Sequence, residues 1–326
     1  MIEIDQAITH FENYLKNLRK SSRTIKNYKL DLLDFQEYII KEKGKPIIEE
    51  NEFKKLCFSY IDSLSSYEEA DGELKDYASS SLNRKRTSMR MFVRFLKERD
   101  YINEDFRKQI HSLKKKKHIP QVLTIEEIEK IDRILNERIS KANTKHLLYI
   151  GMRNRLMFCF FLYLGVRVSE LLKIKWEHIN LLKDDIIIES GKGDKPRIIP
   201  MKQELKLLIY SYKEVIQSIS TEEKDYSGKF KGYIFYTNVR NKDISLSPKT
   251  AERIINSLIE ETGIEKKITP HSLRHTMASH GIQNKMNIAV LASILGHATP
   301  VITLDIYTHV ISEEQRKEEM KKLSYR

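Results

Sequence analysis

Hydrophobic residues from Ile4 to about Arg107 recur three or four positions apart, which is the period of amphipathic α-helices. Four helices are predicted, around Phe11 to Leu18, over Thr24 to Ile40, over Phe53 to Leu64, and from about Ser80 to Lys97. Few runs of β-branched residues interrupt this pattern. We therefore predict a small all-α bundle over residues 1–112.

The run LKKKKHIP, from Leu113 to Pro120, breaks the helical pattern. Consecutive lysines repel one another, and a proline stops a helix. We predict a basic linker over residues 113–121 and a second domain over residues 122–326. Two interpretations of this linker are equally consistent with its sequence: a solvated tether, or a segment that lies along a DNA backbone. Thr124 and Glu127 form a capping box that opens the second domain with a helix.

The second domain is predicted to be mainly helical, with a small sheet. DIIIES (Asp185–Ser190) and RIIP (Arg197–Pro200) flank GKGDKP and indicate a β-hairpin, and GYIFYT (Gly232–Thr237) indicates a third strand. Two helices are expected to start at the dipeptides Ser247-Pro248 and Thr269-Pro270.

Composition narrows the choice of partner. The 326 residues carry a formal net charge of +12, with a pI of about 9.3, so a polyanion is the expected partner, although a lysine-rich surface gives the same total. Cys57 and Cys159 lie in apolar runs and are predicted core residues. The longest apolar stretch, Leu156 to Val166, is too short to span a bilayer, and residues 1–11 do not resemble a signal peptide. We expect a cytoplasmic protein without a membrane partner.

Two histidines and two arginines are candidates for handling a phosphate. In PHSLRHT, His271 and Arg274 are three residues apart and share a helix face. His271 is in the first turn, where the helix dipole favours an anion, and Arg274 is one turn further along. In LGVRVSELLKIKW, Arg167 interrupts an apolar helical stretch and needs a partner, which is either Glu170 or a phosphate. Each motif alone also fits an ordinary basic helix face or a structural ion pair.

The hairpin turn GKGDKPR adds three basic residues, Lys192, Lys195 and Arg197. Its glycines permit a close backbone approach, so a lysine near its tip can reach into a groove. The Walker pattern GxxxxGK[ST] is absent, and a solvated hairpin also explains the sequence.

The last candidate segment is LGHATPVITLDIYTHV. Gly296 is predicted to cap a helix, which holds His297 in a tight turn, and Tyr307 follows ten residues later. A tyrosine among apolar residues is usually a core residue, whereas a nucleophile requires its phenolate to be stabilised. No carboxylate cluster and no nucleotide-binding glycine loop accompany the set. The pattern indicates a phosphate ester cut by the protein itself, with no metal and no cofactor.

The blocks HSLRHTMASH, LASILGHATP and DIYTHV, together with LGVRVSELLKIKW and GKGDKPRIIP, closely resemble the tyrosine recombinase (phage integrase) family. The resemblance covers almost all of the second domain, and the first domain and linker look like that family's core-binding domain. It implies a mainly α protein with a small β-sheet, made of an all-α core-binding domain and a mixed α/β catalytic domain. A Xer-like or mobile-element integrase is expected.

In this family a tyrosine attacks a DNA phosphodiester, forms a 3′-phosphotyrosyl link and releases a 5′-hydroxyl. The resemblance implies one role for each matching residue. Tyr307 is the nucleophile, Arg167 and Arg274 hold the phosphate oxygens, Lys192 rather than Lys195 is the general acid, His271 assists proton removal from the tyrosine, His297 hydrogen-bonds the scissile phosphate, and Glu170 supports Arg167. It also implies a homotetramer on a double-stranded recombination site.

Basic residues outside this set are predicted to contact the DNA backbone, although a solvated face is the alternative. They are Arg84, Arg86, Arg90, Arg94 and Lys97 on the fourth helix, Lys114, Lys115, Lys116 and Lys117 in the linker, Thr24 and Lys26 at the start of the second helix, and Lys195 in the hairpin.

Two other functions remain open from the sequence. A type IB topoisomerase-like enzyme uses the same tyrosine chemistry to relax a single duplex. A non-catalytic DNA-binding protein of the same fold would have no need of the nucleophile.

Overall fold

The computed structural model describes residues 1–64, 66–68, 74–114, 120–189, 196–219, 232–239, 242–307 and 320. The chain forms two compact units, an N-terminal unit of Met1–His118 and a C-terminal unit of Ile119–Arg326. The division falls within the predicted linker. Lys115, Lys116 and Lys117 lie outside the described residues, and the predicted boundaries of the linker stay predictions.

The described part of the N-terminal unit contains four α-helices, as the sequence predicts. They are α1 (Ile4–Asn17), α2 (Ser22–Lys43), α3 (Glu50–Ser63) and α4 (Ser79–Glu98), followed by a 3-10 turn at Arg107–Gln109. Their apolar faces meet in a core rich in phenylalanine, with Phe11, Phe35, Phe53 and Phe92 fully buried. Cys57 lies in this core, as predicted.

Two antiparallel strand pairs were not anticipated in this unit. They are β1 (Ile2–Glu3) with β2 (Ile47–Ile48), and β3 (Ser66–Glu68) with β4 (Leu74–Asp76). Strands of two or three residues are too short to show an alternating pattern in the sequence. The unit is therefore an α-bundle with two small strand pairs.

Polar side chains of α4 hold the segment that leaves the helical bundle. Asn83 exchanges two hydrogen bonds with the backbone of Leu113, at 3.1 and 2.8 Å. Arg86 and Arg90 donate to backbone carbonyls of the same segment, at 2.9 and 2.8 Å. Because these three residues share one face of α4, residues 110–113 are fastened along it.

The C-terminal unit contains eight helices among its described residues. They are α5 (Ile125–Ser140), α6 (Lys145–Leu164), α7 (Val168–Leu171), α8 (Gln203–Ile219), α9 (Pro248–Thr262), α10 (Pro270–Gln283), α11 (Ile288–Leu295) and α12 (Pro300–Tyr307). The capping box of Thr124 and Glu127 and the predicted starts of α9 and α10 are all confirmed.

The small sheet of this unit consists of β5 (Ile179–Asn180), β6 (Asp185–Ile188) and β7 (Arg197–Pro200). The predicted hairpin is confirmed, with Ile188 opposite Arg197. The predicted third strand, Gly232–Thr237, is confirmed only in part. Only its last two residues are in a strand, β8 (Tyr236–Val239), and that strand pairs with β9 (Lys242–Ser245) instead of joining the hairpin.

Helix α6 is the centre of the C-terminal unit. It packs against α5, α8 and α10, and it buries Leu156, Phe160 and Phe161 as well as the predicted core residue Cys159. It is also the one described helix that is long and apolar enough to cross a membrane, but 61% of its apolar window is buried inside the unit. That burial is typical of the core helix of a water-soluble protein.

The fastening of residues 110–113 gives a first prediction. Asn83→Ala removes both hydrogen bonds to Leu113 and should lower the free energy of unfolding by about 1–3 kcal/mol. Amide hydrogen exchange at residue 113 should become faster. Asn136→Ala is the control, because Asn136 is exposed and donates to the side chain of Asp132, at 2.9 Å. Equal exchange at residue 113 in both variants would contradict the contact.

Candidate active site

Arg274 is held by the ends of two helices. Its side chain is 2% exposed, and it donates to the carbonyl oxygens of Gly165 and Leu295, both at 2.7 Å. Gly165 and Gly296 are the left-handed caps that end α6 and α11. The last carbonyls of a helix have no partner within it and attract cations, so two helix ends fix this guanidinium.

Arg167 lies at the start of α7 and not inside a helix, because the apolar run that contains it is broken at Gly165. Its guanidinium donates to Glu170 Oε1 at 2.6 Å and to the carbonyl of Gly296 at 3.4 Å. The Arg167 side chain is 38% exposed, whereas that of Glu170 is 4% exposed. Glu170 is therefore the partner that Arg167 was expected to need, and part of the Arg167 side chain stays accessible.

A second arginine shares the Glu170 carboxylate. Arg197 donates to both carboxylate oxygens, at 2.8 and 3.2 Å, and its Nε donates to the carbonyl of Ile294 at 2.7 Å. Burial raises the pKa of Glu170, but the hydrogen bonds from Arg197 and from the Arg167 backbone outweigh it. The pKa of this carboxyl is therefore below its ordinary value, and Glu170 is a carboxylate.

His297 follows the glycine cap of α11 and lies among these charges. Its Nδ1 is 2.7 Å from the hydroxyl of Thr303, which is fully buried in α12. Loss of solvent, together with the positive charges of Arg274, Arg167 and Arg197, lowers the pKa of His297 to about 4. The ring is neutral at pH 7. When the Thr303 hydroxyl donates to Nδ1, the proton is on Nε2, which is then a hydrogen-bond donor.

His271 is in the first turn of α10, where the sequence places it. Its ring is 4.4 Å from that of His275, in an edge-to-face arrangement. Partial loss of solvent lowers the pKa of His271, and the charges of Arg274 and Arg167 lower it further. His271 is therefore neutral at pH 7, which is the form that accepts a proton.

The structure thus brings together five predicted site residues: Arg167, Glu170, His271, Arg274 and His297. Tyr307 is the last residue of α12, one turn beyond Thr303. Lys192 and Lys195 lie outside the described residues, so their predicted roles stay predictions.

Sequence reasoning missed Arg197 as part of this site, because it was grouped with the hairpin lysines. A signal was nevertheless present. Side chains alternate along a strand, so Arg197 is on the same face of β7 as Ile199, which is buried, while Ile198 between them is 65% exposed. The buried hydroxyl of Thr303 was also missed, and the sequence contains no comparable signal for it.

The predicted DNA-binding arginines of α4 have partners within the protein. Arg84 pairs with Asp31, and Arg94 pairs with Glu98 at 2.6 Å. Arg86 and Arg90 bond the segment after the helix. Lys26 and Lys114 are exposed, Lys97 is half-buried, and the Thr24 hydroxyl is 2.8 Å from that of Ser21. Contact of these residues with DNA stays a prediction.

Comparison with known proteins gives consistent matches in both units. Residues 121–314 match the model of the phage integrase family, and residues 8–100 match the model of the phage integrase N-terminal SAM-like domain. The chain is 29% identical to a tyrosine recombinase of Pseudothermotoga lettingae over 96% of both chains. It is also 29% identical to tyrosine recombinase XerD of Listeria monocytogenes serotype 4b over 89% of both chains.

Solved structures share the fold. The XerH site-specific recombinase, in a post-cleavage complex with its palindromic difH substrate, superposes with a TM-score of 0.66 at 22% identity, over 92% of this chain and 79% of that one. The Tn1549 transposon integrase, in complex with transposon right end DNA, superposes with a TM-score of 0.65 at 16% identity, over 98% of this chain and 99% of that one.

The surroundings of His297 predict an unusual titration. With a pKa of about 4 instead of about 6.5, its ring nitrogens should show the neutral form by NMR at pH 6. The unfolded chain takes up this proton below about pH 6.5 and the native chain only near pH 4. This histidine therefore lowers the free energy of unfolding as the pH falls through that window. His297→Asn should lose less stability across the same range, and a titration of His297 near pH 6.5 would contradict the arrangement.

The cap at Gly165 gives a third prediction. Alanine in a left-handed conformation costs about 1–2 kcal/mol. At Gly165 the added Cβ would also lie 2.9 Å from a methyl of Leu295, which adds about 1–3 kcal/mol. Gly263→Ala is the matched control, since Gly263 is also left-handed but has no atom within 4 Å of the added Cβ. Thermal or urea unfolding should show a larger loss for Gly165→Ala, and equal losses would contradict the close packing.

Proposed function

This chain belongs to the phage integrase family, and from that membership we propose that it is a site-specific DNA recombinase that cuts and rejoins DNA strands with Tyr307. The family model covers more than half of the chain, and its relatives over nearly the full length are named tyrosine recombinases. The observation that carries the proposal is the pair Arg167 and Arg274, fixed beside a neutral His297.

The two arginines are suited to binding a phosphodiester. Their guanidiniums are held by carbonyl dipoles and one carboxylate, so little reorganisation is needed when DNA arrives. Preorganised donors directed at developing charge are a large source of catalysis. Arg167 and Arg274 would bind the non-bridging oxygens, and the Nε2–H of His297 would add a neutral hydrogen bond.

The remaining roles complete one balanced reaction. The Tyr307 oxygen attacks phosphorus, and the bond from phosphorus to the 5′-oxygen breaks. His271, neutral at pH 7, accepts the tyrosine proton, and Lys192 gives a proton to the leaving 5′-oxygen. The 3′-phosphotyrosyl link keeps the energy of the ester, so a 5′-hydroxyl from a second duplex can displace Tyr307 and rejoin the strands. No step consumes a nucleotide.

The proposed partner is a double-stranded recombination site, bound by a homotetramer in the cytoplasm. The relatives' names and the DNA-bound structures of the same fold support the DNA partner. The net charge of +12 agrees with a polyanion. Lys26 and Lys114 are predicted to contact the DNA backbone outside the active site. Among the described residues predicted for this role, these two lysines are the exposed ones.

The decisive experiment uses Tyr307→Phe with a nicked suicide duplex that carries the recognition site. Wild type should form a covalent 3′ adduct, detected as a slower band on a denaturing gel. The variant should form none, because phenylalanine has no nucleophilic oxygen, yet it should bind the duplex within about twofold of wild type.

The same assay separates the alternatives. Adducts on any sequence, with relaxation of supercoils and no strand exchange, would identify a topoisomerase-like enzyme. Site-specific binding by wild type without an adduct would identify a non-catalytic binding protein.

A further inference from the structure

Arg197 connects the base of the hairpin to the phosphate-binding residues. It is the first residue of β7, and its backbone is paired in register with Ile188 of β6. Its side chain is only 9% exposed. It points into the unit, on the same face of β7 as the buried side chain of Ile199.

Two other parts of the unit, α7 and the end of α11, meet at this guanidinium. Its two Nη nitrogens donate to the two carboxylate oxygens of Glu170. The same carboxylate accepts from the side chain and from the backbone N–H of Arg167. Its Nε holds the carbonyl of Ile294, two residues before the cap of α11. Gly296 packs so closely on it that an added Cβ would lie 2.8 Å from Nη1.

We propose that Arg197 is a positioning residue for DNA cleavage, which fixes Glu170, and through it Arg167, together with the turn that carries His297. We place it behind Arg167 and not on the phosphate, because Nε and both Nη nitrogens bond groups inside the protein and the side chain is only 9% exposed. This inference rests on the proposed recombinase function. Arg197 therefore supports the residues that bind the phosphate, and it takes no part in proton transfer by the hairpin lysine.

Lysine cannot replace this arginine. An ammonium at this site keeps the charge, but it has no planar fork to grip both oxygens of Glu170 while a third N–H reaches Ile294. In Arg197→Lys, Glu170 is held mainly by Arg167, and the end of α11 loses an anchor. Because a displacement of about 1 Å in a reacting group can cost about 100-fold in rate, the change should slow cleavage.

The test measures adduct formation in a single turnover on the suicide duplex, alongside DNA affinity and thermal unfolding. Arg197→Lys should form the adduct about 10- to 100-fold more slowly, with affinity within about twofold of wild type. Arg155→Lys is the matched control. Arg155 makes a similar two-point contact with Asp132, at 3.0 and 3.3 Å, on α6 and away from the site. It should cleave at the wild-type rate.

A second variant disturbs the guanidinium without removing it. Gly296→Ala presses a methyl group onto Arg197 and should also slow cleavage, whereas Gly263→Ala, with the same backbone strain and open space, should not. If folded Arg197→Lys or folded Gly296→Ala cleaves at the wild-type rate, the positioning role is refuted.

A modified substrate identifies the route. Sulfur in place of the scissile 5′-oxygen leaves as a thiolate, which needs no proton from a general acid because a thiol has a pKa of only about 8.5. The defect of Arg197→Lys should persist on this substrate, whereas that of Lys192→Ala should largely disappear. Rescue of Arg197→Lys by sulfur would show that Arg197 acts through the hairpin and would overturn the inference. If wild type forms no adduct on either substrate, the recombinase function itself fails.

Discussion

The site depends on one carboxylate shared by two arginines. Two guanidiniums about 5 Å apart repel by roughly 3 kcal/mol at an effective dielectric of about 20, so a cluster of arginines does not assemble without compensation. Glu170, buried and ionised, lies between Arg167 and Arg197 and supplies that compensation. The carbonyl dipoles at the ends of α6 and α11 also attract Arg197 and Arg274. They stabilise and orient these cations without cancelling their charge.

Because the arginines need carbonyl partners, the backbone at the helix ends must lie close to their guanidiniums. Carbonyls at a helix end become available only where the chain turns away sharply, and Gly165 and Gly296 provide that turn with a positive φ. At both positions the absent side chain also leaves room, for Leu295 beside Gly165 and for Arg197 beside Gly296. The same turn after α11 delivers His297, whose bond to Thr303 ties it to α12, the helix that ends at Tyr307. Backbone geometry therefore links the phosphate-binding cations to the helix of the nucleophile.

Much of this was predictable where a local signal exists. Capping residues such as Thr124, Ser247 and Thr269 predicted their helix starts because a side-chain oxygen satisfies a backbone N–H within the same few residues. The pairing of β5 with the hairpin was not predictable, because a two-residue strand has no period. The role of Arg197 was hidden for a different reason. The alternation along β7 indicates only that Arg197 faces inward. Its partners, Glu170 and Ile294, are 27 and 97 residues away in sequence, and no local pattern identifies them.

The charge balance of the site suggests why a buried third arginine is useful. Among the described residues of the site, Arg167, Arg197 and Arg274 contribute three positive charges and Glu170 one negative charge, while His271 and His297 are neutral at pH 7. The net charge is therefore positive, and a protonated Lys192 would add to it. A DNA phosphodiester carries one negative charge, and the five-coordinate state formed by attack of a phenolate carries two. A site with a net positive charge therefore attracts the transition state more strongly than the bound DNA, which is the condition for catalysis. A His271 that was already protonated before the attack could not accept the tyrosine proton, and a protonated His297 would attract the bound DNA as well as the transition state. The depressed histidine pKa values and the arginine cluster are thus two consequences of the same electrostatic arrangement.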